Sequence, residues 1–176
     1  MCIKTLSILS LLIMFFSCKK DQENSTNNNT ESNESKEITE KDISKINYID
    51  FALDLKTEDV IKDWQEYYQL QEAIANIKKG DLSFFNDNEE NKVTINTLLK
   101  ELRVKIPKQI NSPSIVARIT ALETKLYKLE SLSNLSTTSK KELTATIKDF
   151  LVAFSNLNLQ INKKIEFDSR KIEKPE

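Results

Sequence analysis

The sequence predicts an all-α fold, an antiparallel up-down-up-down four-helix bundle that follows a disordered polar tether. Apolar residues recur at spacings of three and four over two long stretches, residues 113–133 and 139–167. Only residues 49–55 alternate like a strand, and no second strand pattern elsewhere could pair with them. The segments between the helical patterns are short, which makes consecutive helices antiparallel neighbours.

The N-terminus reads MCIKTLSILSLLIMFFSC. Lys4 supplies a positive charge, and Leu6 to Phe16 is apolar except for Ser7 and Ser10. Ser17 is a small residue placed before Cys18. This is the layout of a secretory signal. An apolar run of about 11 residues makes roughly 16 Å of helix, against a hydrocarbon core of roughly 30 Å. It is too short to span a membrane.

Phe15-Phe16-Ser17-Cys18 resembles the lipobox of bacterial lipoprotein signals. Ser17 and Cys18 match that pattern, whereas Phe16 stands where a small residue is usual and Phe15 where Leu is common. The resemblance implies a signal over residues 1–17 and lipid attachment at Cys18, which becomes the mature N-terminus. More than one acyl chain gives stable anchoring without a spanning helix. In this class an Asp directly after the Cys favours retention at the inner membrane. Lys19 stands there instead, which implies the outer membrane, on its periplasmic or surface face. Lys19-Lys20-Asp21-Gln22-Glu23 is similar to the export tether of Bacteroidetes-type surface lipoproteins.

Residues 18–40 form the expected tether. From Lys19 to Glu37 there is no hydrophobic residue, so the segment cannot bury enough surface to offset its ordering entropy. As a flexible coil its span is roughly 24 Å. The helical domain is expected over residues 41–170, with a disordered tail at 171–176.

Within the domain, residues 43–55 fit either a short helix or an extended arm packed on the bundle. Thr57 is expected to open a helix with Val60, Trp64, Tyr67, Ile74 and Ile77 inward, stopped at Gly80. Asp87-Asn88-Glu89-Glu90 reads as the cap of a helix with Ile95, Leu99, Leu102 and Ile106 inward, ended by Pro107. Ser112 and Pro113 open the next helix, whose stripe is Ile115, Ile119, Leu122, Leu126 and Leu129. Asn134 is expected to close it in the left-handed conformation. Ser139 and Glu142 fit a capping box for the last helix. Its stripe is Leu143, Ile147, Phe150, Phe154, Leu157 and Ile161, widened by Leu151 and Ile165.

Composition excludes more chemistry than it suggests. With 26 Lys+Arg against 27 Asp+Glu, the chain offers no basic stripe for nucleic acid. It has no His, the commonest general base and transition-metal ligand. Its single Gly rules out a Gly-rich phosphate cradle. Both Cys lie at the N-terminus, which leaves the domain without a thiol nucleophile, a disulfide or a thiolate metal site. The expectation is therefore no enzyme, no metal and no cofactor.

Five residues are candidates for a ligand or partner contact. Ser155, Asn158 and Asn162 sit together beside the last stripe, either lining a polar groove or satisfying a neighbouring backbone. Arg118 and Glu123 flank the stripe of the 113–133 helix, either to bind a carboxylate or phosphate or to pair across a bundle seam. Tyr68 is the ring expected outside the core. Leu82, Phe84 and Phe85 either expose a hydrophobic contact or plug one end of the bundle. The functional expectation is a cell-envelope lipoprotein, membrane-bound through Cys18, whose domain contacts another envelope protein. The alternative is a small-ligand or cell-wall-binding module in a bundle groove.

Overall fold

A computed structural model describes residues 37–85 and 94–170. The signal, Cys18, most of the tether, the cap at 87–90 and the tail at 171–176 lie outside the described residues. The described chain is all-helical: α1 (Glu40–Ile43), α2 (Leu55–Ile61), α3 (Gln65–Lys78), α4 (Ile95–Val104), α5 (Pro113–Asn134) and α6 (Lys140–Ser169), with a 3₁₀ turn at Ser83–Phe85. The longest shared interface joins α5 and α6; α3 packs on α4, α2 on α6, and both α4 and the 3₁₀ turn on α5.

One core runs through all of these elements. The expected stripes of α5 and α6 are buried from Ile115 to Leu129 and from Leu143 to Ile161, as are Ile95, Leu99, Leu102 and Ile106. Leu70, Leu98 and the loop residue Ile110 join them. Phe85 is buried, and Leu82 and Phe84 pack partly against the core, so this loop turns inward. The core begins at Ile38, within the last residues of the expected tether.

Local chemistry explains most helix ends. Ser139 Oγ accepts the Glu142 N–H at 3.2 Å, the forward half of the expected capping box. Pro113 occupies the first turn of α5, where its missing N–H costs nothing. After α3, the Gly80 N–H bonds Ile77 O and the Asp81 N–H bonds Asn76 O, both satisfying carbonyls of the last turn. Gly80 has φ +86°, and a Cβ there would lie 2.6 Å from the Ile38 carbonyl oxygen. The turn that ends α3 is thus also where the N-terminal end of the domain crosses.

Three expected boundaries are corrected. The helix expected from Thr57 to Gly80 is two helices, with the break at Lys62-Asp63-Trp64. Asp54 caps the first, which places Thr57 inside it and buried. The break turns Trp64 inward, where its indole N–H donates to Leu102 O at 3.2 Å. That carbonyl belongs to the last turn of α4, so the tertiary bond outweighs helical continuity. The described part of α4 starts at Ile95, capped by Thr94 Oγ1 on the Thr97 N–H. Asn134 is the last helical residue of α5 rather than a left-handed cap; Leu135 follows in extended conformation, and no described non-glycine residue has positive φ.

Candidate functional site: an arm, an amide ladder and a groove

Residues 46–54 form an arm without regular secondary structure, lying along α6. Its long-range hydrogen bonds are mostly between arm backbone and α6 side chains. Ser155 Oγ donates to Ile49 O at 2.6 Å and accepts the Phe51 N–H at 2.8 Å. Asn158 Nδ2 donates to Phe51 O at 2.9 Å. Asn162 Nδ2 donates to Ala52 O at 2.8 Å, and its Oδ1 accepts the Asp54 N–H at 3.1 Å. Spacings of three and four put these three side chains on one face of α6. From Phe51 to Asp54 the arm advances three residues while α6 advances seven, about 10 Å. That is about 3.3 Å per residue, the rise of an extended chain. The open choice over residues 43–55 resolves as the extended arm: α1 ends at Ile43, residues 46–54 are extended, and α2 begins at Leu55.

Ser155, Asn158 and Asn162 are therefore brought together, and what they hold is the chain's own backbone. Ser155 and Asn158 are nearly inaccessible to solvent. Asn158 also connects the arm to the core: the Tyr67 hydroxyl donates to its Oδ1 at 3.0 Å. Burial pushes the Tyr67 phenol well above its ordinary pKa, so it stays a donor at any physiological pH.

Between the arm and α3 lies a groove of about 310 Å³. Asp50 and Ala52 line its arm side, Tyr68, Gln71 and Lys78 its α3 side, with Phe154 and Asn158 beneath. Tyr67 stacks between Trp64 and Phe154, with ring centroids 5.6 Å away on each side. Tyr68 meets Tyr67 edge-on at 5.5 Å and is 38% exposed, so it is the ring at the groove's rim. Burial, then the nearby Glu58 and Asp63 charges, raise its pKa. Lys78 Nζ reaches Asp50 Oδ2 at 2.6 Å, and the Tyr48 hydroxyl donates to the same carboxylate at 3.2 Å. Burial works against the Lys78 charge, but its bonds to Asp50 and Tyr48 outweigh that and raise its pKa. Glu58 makes no ion pair with a described residue.

Arg118 is exposed on α5, away from this groove. Its expected neighbour Glu123 instead takes Arg103 of α4 as partner, and Arg103 also donates to Thr120 Oγ1 at 2.7 Å. The seam ion pair thus exists with a different cation. Sequence reading missed the Asp50–Lys78 pair, the Asp42–Lys140 bridge at 2.8 Å and the Glu66–Lys105 pair at 2.6 Å. Their partners lie far apart in sequence and carry no local signal. The i,i+4 spacing of Glu101 and Lys105 does carry a local signal, and Lys105 bridges both glutamates.

Among the described residues, no group of three acidic, Cys or His side chains is placed to hold a metal ion, and no helix is long and apolar enough to cross a membrane. No family model, no curated protein and no solved structure matches this chain.

Proposed function

We propose that this chain is an exported lipoprotein of the cell envelope, anchored through Cys18. In this reading its helical domain is a non-catalytic module that binds another envelope protein. The anchor rests on the 1–18 pattern: a short apolar run closed by Ser17-Cys18 and followed by a wholly polar segment. Outer-membrane placement rests on Lys19 after the Cys. Helices α3 to α6 supply the up-down-up-down bundle, and the tether lets it reach partners near the membrane.

One observation favours protein contact over a ligand pocket. The polar side chains best placed to line a groove, Ser155, Asn158 and Asn162, are spent on the arm. Among its exposed polar residues the arm region turns two large apolar side chains outward: Ile49 is 70% exposed and Leu55 81%. Large exposed apolar side chains on a polar rim are the usual material of contact surfaces. The groove beside Tyr68 supports the alternative, a small-ligand or cell-wall-binding module.

Site-specific photocrosslinking in intact cells separates these readings. A crosslinker at Ile49 or Leu55 is expected to capture an envelope protein, and one at Arg118 is not. A melting shift with a protein-depleted envelope extract, without any captured protein, would instead favour the ligand module.

A further inference from the structure

An extended chain turns the N–H and C=O of successive residues to opposite sides. Phe51 turns both of its groups to Ser155 and Asn158. Asp50 N–H, Asp50 C=O and Ala52 N–H therefore face away from α6. None of them hydrogen-bonds a described residue, and both residues are exposed. The arm is thus an extended segment whose α6-facing groups, Ala52 C=O among them, are held by Ser and Asn side chains, and whose outer edge leaves Asp50 N–H, Asp50 C=O and Ala52 N–H open. Its sequence, Tyr48-Ile49-Asp50-Phe51-Ala52-Leu53, holds three strand-forming residues, Tyr48, Ile49 and Phe51, and no Pro to blunt that edge. No second strand lies among the described residues.

We infer that the outer edge of residues 49–53 receives an extended segment of the partner protein by strand addition. This deepens the protein-contact reading and rests on it. Main-chain bonds supply affinity in this mode, and alternate side chains supply specificity. On one side, the incoming strand's side chains lie over the groove rimmed by Tyr68 and Glu58. Asp50 is already neutralised by Lys78, whereas Glu58 is not paired, so the groove carries one uncompensated negative charge. The partner segment is accordingly an extended peptide carrying Lys or Arg where it crosses Glu58, with its cation beside the Tyr68 ring.

A phage-displayed random heptapeptide library panned against the full chain in detergent tests this, with enriched peptides synthesised for titration. Enrichment of alternating β-branched or aromatic sequences with one basic residue is expected. Binding should slow amide exchange at Asp50 and Ala52 at least tenfold, a readout that needs no mutation. Ala52→Pro removes an outer-edge donor and keeps the preceding Phe51 extended, and the Phe51 and Ala52 carbonyls remain available to Asn158 and Asn162. It should weaken binding at least tenfold with the melting midpoint held within two or three degrees. Glu58→Gln should remove the preference for a basic residue. Failure to enrich any peptide, or protection elsewhere on the domain, would overturn strand addition. So would open-edge amides already protected in the free chain by self-association. An envelope protein crosslinked equally by wild type and Ala52→Pro would overturn strand addition alone. Crosslinking to nothing in either would remove the protein-contact reading as well.

Discussion

Asn158 is the residue whose loss the structure makes most specific. It accepts from the Tyr67 hydroxyl and donates to Phe51 O. Asn158→Ala removes the arm bond, worth about 1 kcal/mol net. It also orphans the hydroxyl of Tyr67, a buried residue; that costs about 1–3 kcal/mol more. The total is about 2–4 kcal/mol, a large fraction of a small domain's stability. Tyr67→Phe removes the donor first. In that background Asn158→Ala should cost only the arm bond, so the two changes should be non-additive by about 1–3 kcal/mol. Urea unfolding of the four proteins of this cycle measures it, provided the m values agree. Additivity to within about 0.5 kcal/mol would refute the coupling and leave Asn158 as a strap for the arm alone.

Other consequences follow from the same packing. Phe154→Ala should cost roughly 3–5 kcal/mol, because Phe154 is buried against the Tyr67 ring; a thermal melt shifted by only a degree or two would show the α6 face is misassigned. Gly80→Ala should destabilise by about 1–3 kcal/mol, combining a left-handed φ with a Cβ that meets the Ile38 carbonyl; an unchanged denaturation midpoint would contradict that crossing. Lys105→Ala leaves the buried Glu66 without its cation and should lower the urea midpoint modestly, the exposed ammonium being screened by water; Glu66→Gln should relieve most of the loss. Lys140, then Thr39, hydrogen-bond the Asp42 carboxyl and hold it below the usual carboxylate range. Its contribution is therefore present above an unfolded-state pKa of about 4 and is lost as pH falls through the lower folded value. Amide exchange around α1 should accelerate below about pH 4 before the rest of the domain, and Lys140→Ala should erase that difference.

The long helices were legible because their burial is one-sided. In α5 and α6 each stripe faces a continuous core, so a period near 3.6 appears in the sequence and every stripe position from Ile115 to Leu129 is buried. The α2–α3 break was not legible, since Val60, Trp64 and Tyr67 keep helical spacing across it. Only a distant acceptor, Leu102 O, explains why the chain turns there. The arm carried a mixed signal for a related reason. Residues 49–55 have the alternation of a strand, yet their partner is a helix whose Ser and Asn side chains replace a neighbouring strand's backbone. For Ser155, Asn158 and Asn162 the sequence offered two readings, a ligand groove or a satisfied backbone. The bonds to Ile49, Phe51, Ala52 and Asp54 show the satisfied backbone, and Asn158 at the same time lines the groove beside the arm.

The anchor is the premise on which location and partner class depend, and metabolic labelling with a palmitate analogue tests it most directly. Wild type and Cys18→Ala would be labelled in the native host and fractionated. The account predicts label on the wild type only, with that protein in the outer-membrane fraction and the variant unlabelled. Equal labelling of both, or a wild type without label, would contradict lipid attachment at Cys18 and leave the helical domain without an address.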